Sequence, residues 1–62
     1  MSMNQGDLAA RAVRLRAKST ELRERARDLR DAAIRAEFLE LAHHYDEMAR
    51  QVEELAPYPE EP

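Results

Sequence analysis

The apolar positions of this chain fall into two stripes that are out of phase with each other. In the first half Leu8, Ala12, Leu15, Ser19, Leu22, Ala26 and Leu29 alternate by four and three, the spacing that lines one face of a helix and repeats every seven residues. In the second half Ile34, Phe38, Leu41, Tyr45, Met48, Val52 and Leu55 follow the same rule. The step from Leu29 to Ile34 is five residues, so one continuous helix would split its apolar face. Folding the chain back near Asp31 removes the conflict. The positions then pair as Leu29 with Ile34, Ala26 with Phe38, Leu22 with Leu41, Ser19 with Tyr45, Leu15 with Met48, Ala12 with Val52 and Leu8 with Leu55. Small residues oppose Phe38, Tyr45 and Val52 in alternate layers, as close packing requires. The expected fold is all-α, an antiparallel two-helix hairpin.

Local signals set the bounds. Asn4 reads as an N-cap, with Asp7 at the third helical position and Met3 placed to pack on Leu8, so the first helix starts near residue 5. It is expected over about 5–30, with Asp7 to Arg11 and Glu21 to Arg25 as favourable four-residue ion pairs. The turn near 31 contains neither Gly nor Pro. Asp31 suits the start of the second helix, where its carboxylate accepts backbone N–H groups and faces the positive end of the helix dipole. That helix is expected over about 32–55, ended by Pro57. Residues 1–56 thus form the hairpin, and residues 57–62 read as a flexible tail of proline and glutamate around Tyr58.

The stretch Ala26-Arg27-Asp28-Leu29-Arg30, then Asp31, then Phe38-Leu39-Glu40-Leu41-Ala42, Tyr45 and Ala49 resembles the short helical-hairpin proteins of GC-rich bacteria, alphaproteobacteria in particular. Those proteins typically carry Asp-Pro at the turn, where this chain has Asp31-Ala32. The resemblance covers about half of the chain. It implies a helical hairpin and brings no activity with it.

A chain of 62 residues makes at most one small domain, and so small a core needs a supplement. With no cysteine the supplement is not a disulfide, which fits a reducing compartment. No apolar run approaches the roughly 20 residues that cross a bilayer, and the basic start of a secretory signal is missing. A soluble, cytoplasmic protein that does not engage membranes is expected. Charge is divided unevenly: residues 1–35 carry nine basic and five acidic side chains, and residues 36–62 carry one basic and eight acidic. The halves are therefore at +4 and −7, which favours antiparallel neighbours of opposite sign.

Candidate chemistry is sparse. Glu40 and His43 have the Glu-x-x-His spacing by which a helix presents two ligands to a di-iron centre, yet neither points into the expected seam. They are the weak metal candidates, and solvent-facing histidines are the plainer reading of His43 and His44. Arg11, Arg14, Arg16, Lys18, Arg23, Arg25, Arg27 and Arg30 crowd the first helix as a phosphate-binding stripe would. Six of them flank the seam, where coiled-coil helices place charges and aliphatic stems cover apolar surface. No aromatic residue stands among them to stack on bases. Tyr45 reads as a core residue. No nucleophilic triad, phosphate loop or zinc spacing is present, so neither catalysis nor a cofactor is expected.

The remaining apolar surface points to association. A lone hairpin leaves the outer sides of Leu15, Leu22, Leu41 and Met48 wet, and Val13 and Leu39 lie outside the seam. Ala42 and Ala49, expected on the flank of the second helix, would let a further helix approach closely. The sequence therefore reads as a small oligomeric protein–protein interaction module, an adaptor or regulator, that dimerises into a four-helix bundle. The alternatives are a nucleic-acid-associated regulator using the arginine-rich helix and a metal-binding bundle.

Overall fold

A computed structural model describes residues 5–55. It has two helices, α1 over Gln5–Arg27 and α2 over Ala32–Leu55, and no strand among the described residues. The expected cap at Asn4, the Met3 contact and the tail at 57–62 lie outside the described residues. Arg16 on α1 meets Glu53 late in α2, whereas Arg23, further along α1, meets Asp46, earlier in α2. Numbers rise on one helix as they fall on the other, so the helices are antiparallel. The chain is an all-α hairpin.

The turn is four residues, Asp28 to Asp31, and α1 ends at Arg27 rather than Arg30. Its last turn tightens: the Asp28 N–H donates to the Arg25 carbonyl at 3.1 Å and the Leu29 N–H to the Ala26 carbonyl at 3.2 Å. These three-residue steps take the backbone off the α-helical path. Arg35 then reaches back across the turn, its Nε donating to the Leu29 carbonyl and its Nη2 to the Arg30 carbonyl, both at 3.3 Å. A cation thus sits where the dipole of α1 is negative. Asp31 caps α2 as expected, its Oδ1 accepting the Ala33 and Ile34 N–H groups at 2.9 and 3.2 Å. No described residue takes a positive φ, which is why a turn without glycine suffices.

Among the described residues the fully covered side chains are all small: Ala12, Ser19 and Ala26 on α1, and Ala42 and Ala49 on α2. On each helix they recur every seventh position, so the helices meet along a strip of methyl groups and one hydroxyl, the kind of residue that close approach favours. The stripe of α1 lies where its sequence places it, with Leu8, Leu15, Leu22 and Leu29 half-buried beside the small residues. The stripe of α2 does not. Phe38, Tyr45 and Val52 are half-buried, but Ala42 and Ala49 take the places expected for Leu41 and Met48. A shift of one residue turns a helix by about 100°. It leaves Ile34, Leu41, Met48 and Leu55 at 43, 46, 42 and 71 % exposure. The cause is steric: next to Ala12, Ser19 and Ala26, close approach admits a methyl group opposite and leaves no room for leucine or methionine.

Candidate functional site

Close approach gives the hairpin two broad faces of opposite character. On one, the α1 positions that flank Ser19 and Ala26 are Arg16 and Arg23, and those flanking Ala42 and Ala49 on α2 are Asp46 and Glu53. Arg16 grips Glu53 with two parallel hydrogen bonds, Nε to Oε2 at 2.8 Å and Nη2 to Oε1 at 2.9 Å. Its Nη1 stands 3.7 Å from Asp46, and Arg23 Nη2 donates to Asp46 at 2.7 Å. The four side chains form one network across the seam. Hydrogen bonds from Arg23 and from the buried Ser19 hydroxyl hold the Asp46 carboxyl below its ordinary 3.8. The Arg16 hydrogen bond, and then its charge, hold Glu53 below its ordinary 4.5, and Glu53 in turn raises Arg16. No buried side-chain polar atom lacks a partner among the described residues.

Because these carboxyls titrate lower in the folded chain than in the unfolded one, the stability they contribute is fully present above the ordinary carboxylate range. It is lost as pH falls through the lowered values. The hairpin's urea midpoint is accordingly expected to hold from pH 7 to about 5 and to drop below about 4. Arg23→Gln, which removes the largest cause at Asp46, should flatten part of that drop. A midpoint that stays level down to pH 2 would rule the network out. Each pair is partly solvated, so the network fixes helix pairing more than it adds stability.

The opposite face is apolar. Leu8, Leu15, Leu22 and Leu29 of α1 lie beside Phe38, Tyr45 and Val52 of α2, all half-buried, and Ile34, Leu41, Met48 and Leu55 extend the patch outward as an exposed stripe with a spacing of seven. The eleven large apolar residues expected at the helix seam are thus on this side of the molecule, seven of them half-buried at the seam's edge and four exposed beyond it. Lys18, Glu21, Leu22, Arg25 and Phe38 line a shallow groove of about 260 Å³ along the α1 border of the patch. Val13 and Leu39 are exposed elsewhere, at 68 and 39 %.

The other candidate residues are dispersed. His43 has Glu47 as its near carboxylate at 3.6 Å and stands 6.3 Å from the His44 ring, while Glu40 is exposed. Among the described residues no three His, Cys, Asp or Glu side chains gather as metal ligands would. The basic residues of α1 are divided. Arg16 and Arg23 are committed across the seam, and Lys18 and Arg25 share Glu21 at 3.2 and 3.7 Å. Tyr45 is half-buried, and Tyr58 lies outside the described residues. No described helix is long and apolar enough to cross a membrane.

No family model matches the chain, and no curated protein or solved structure shows significant similarity to it. The functional reading therefore rests on the residues themselves.

Proposed function

We propose that this protein is a small helical protein–protein association module and that its apolar face is the association surface, joining two hairpins into a four-helix bundle. The observation that supports this is the exposed stripe of Ile34, Leu41, Met48 and Leu55, continuous with the half-buried leucines of α1. A two-helix chain whose fully covered side chains, among the described residues, are four alanines and one serine gains only about 3 kcal/mol from those four methyl groups at about 0.8 kcal/mol each. Its larger side chains, which hold most of the hydrophobic free energy, become fully covered only against another layer.

Light scattering at micromolar concentration should give about twice the 7.2 kDa chain mass, with a thermal midpoint that rises with concentration because assembly and folding are linked. Leu41→Glu combined with Met48→Glu places two charges in the stripe and should yield monomer and a lower midpoint. A wild-type monomer that melts cooperatively at a concentration-independent temperature would refute the proposal.

A further inference from the structure

The apolar stripes of the two helices differ in width. On α1 two positions in each seven are apolar or small: Ala12, Ser19 and Ala26 are covered by α2, and Leu8, Leu15, Leu22 and Leu29 are half-buried beside them. The next position outward holds Arg11, Lys18 and Arg25, all exposed. On α2 three positions in each seven are apolar. Ala42 and Ala49 are covered, Phe38, Tyr45 and Val52 are half-buried, and Ile34, Leu41, Met48 and Leu55 stand outermost and exposed. A helix with two apolar positions in seven suits one neighbour, and a helix with three suits two. The helix that lacks a neighbour is therefore α2.

Charge does not choose that neighbour, since Glu21 already holds Lys18 and Arg25 at 3.2 and 3.7 Å and the far border of α2, Glu37, His44 and Gln51, has one carboxylate. Apolar matching does. A second copy whose α1 lay along the stripe would set Arg11, Lys18 and Arg25 against four large apolar side chains, which aliphatic stems cover only in part. A second copy whose α2 lies there sets the stripe on itself. Four residues at a constant step of seven are their own complement when one helix is reversed, Ile34 against Leu55 and Leu41 against Met48. Reversal also sorts the flanks. About a two-fold axis across the helices, Phe38, Tyr45 and Val52 of each α2 meet their equivalents on the apolar side, and Glu37, His44 and Gln51 meet theirs on the wet side. Parallel α2 helices would instead press Glu37 and His44 onto Phe38 and Tyr45, at a desolvation cost.

The face is also large enough. Ile34 to Leu55 is a span of 21 residues, about 32 Å of helix, and two helices side by side are about 20 Å across. Two copies together then cover about 1,200 Å², the lower end of the range for stable interfaces.

Resting on the association reading above, we infer that the second copy packs its α2 antiparallel on this chain's α2, Leu41 of each against Met48 of the other, with the two turns at opposite ends. The interface is isologous, and the leucines of each α1 border it.

Two singly labelled full-length chains test this, Ala33→Cys beside the turn and His44→Cys beside the axis, both at exposed positions and each carrying a spin label. Between copies the expected distance is about 35 Å at 33, because some 23 residues of helix at 1.5 Å each separate the labels, and about 15 Å at 44. Turns at the same end would give about 20 Å or less at 33. A charge pair across the interface supplies a second readout. Leu41→Glu with Met48→Lys should dimerise about tenfold more tightly at low salt than Leu41→Glu with Met48→Glu, because reversal sets each carboxylate opposite an ammonium of the other copy. Parallel α2 helices would place like charges together in both variants, and an α1 neighbour would repel the added ammonium, so neither gives this recovery. A dimer with the short distance at 33, or one without recovery, overturns the arrangement and leaves the association reading standing. Labelled and wild-type chains that are both monomeric overturn both.

Discussion

Replacing Ala42 and Ala49 together with leucine is expected to unfold the hairpin at room temperature. Both alanines are wholly covered, at 0 % exposure, on the line where the helices approach most closely. Leucine is nearly as good a helix former as alanine, so the expected loss lies in packing rather than propensity. Each added isobutyl group has to push the axes apart or leave its preferred rotamer, at about 1 to 3 kcal/mol per site. The two together match the roughly 3 to 5 kcal/mol that a core of this size supplies. Ala10→Leu and Ala17→Leu, at exposed positions of α1, make the same chemical change without crowding and should stay within about 0.5 kcal/mol of the parent. Urea denaturation followed by circular dichroism compares the two pairs. Equal midpoints would mean that the helices are not in close approach.

Phe38→Ala is the second substitution with a large expected effect. The ring is half-buried beside Leu22, so its loss should cost about 2 to 3 kcal/mol, under the roughly 3 to 5 kcal/mol typical of an enclosed phenylalanine. Returning the ring from the other helix separates this fold from a simple layered one. Were Phe38 packed over Ala26, Ala26→Phe would restore the lost volume. Ala26 is instead at 2 % exposure in the small-residue strip, where a benzyl group has no space. Phe38→Ala with Ala26→Phe should accordingly be less stable than Phe38→Ala alone. Partial recovery in the double variant would place the seam of α2 on Leu41 and Met48 after all.

The hairpin and its turn were legible because each depends on a local signal: the phase break between Leu29 and Ile34, and an aspartate at a helix start. The face that α2 presents to α1 was not, because Ile34, Leu41, Met48 and Leu55 outweigh Ala42 and Ala49 in apolar content, and a reading weighted by apolar content places them inside. Close approach favours the opposite order. The signal for it was present, since Ala12, Ser19 and Ala26 on one helix and Ala42 and Ala49 on the other repeat every seven residues, as a strip of small residues must if two backbones are to meet. With the strip located, Asp46 and Glu53 fall opposite Arg16 and Arg23. Arg35 had no comparable signal: a side chain that reaches back five and six residues to carbonyls across a turn belongs to no sequence pattern. For the same reason the early end of α1 was missed.

That arginine also bears on how the hairpin forms. Its backbone N–H donates to the Asp31 carbonyl at 2.9 Å as part of the first turn of α2, while its guanidinium holds the Leu29 and Arg30 carbonyls within the turn, so one residue ties the start of α2 to the backbone leaving α1. The bonds close loops of only a few residues, for which the entropy of ring closure is small and closure takes well under a microsecond. Pairing can then advance from the turn outward, each heptad step bringing the next alanine and the next arginine into register. The search is nearly one-dimensional, the ends at Gln5 and Leu55 join last, and fraying begins where zipping finished.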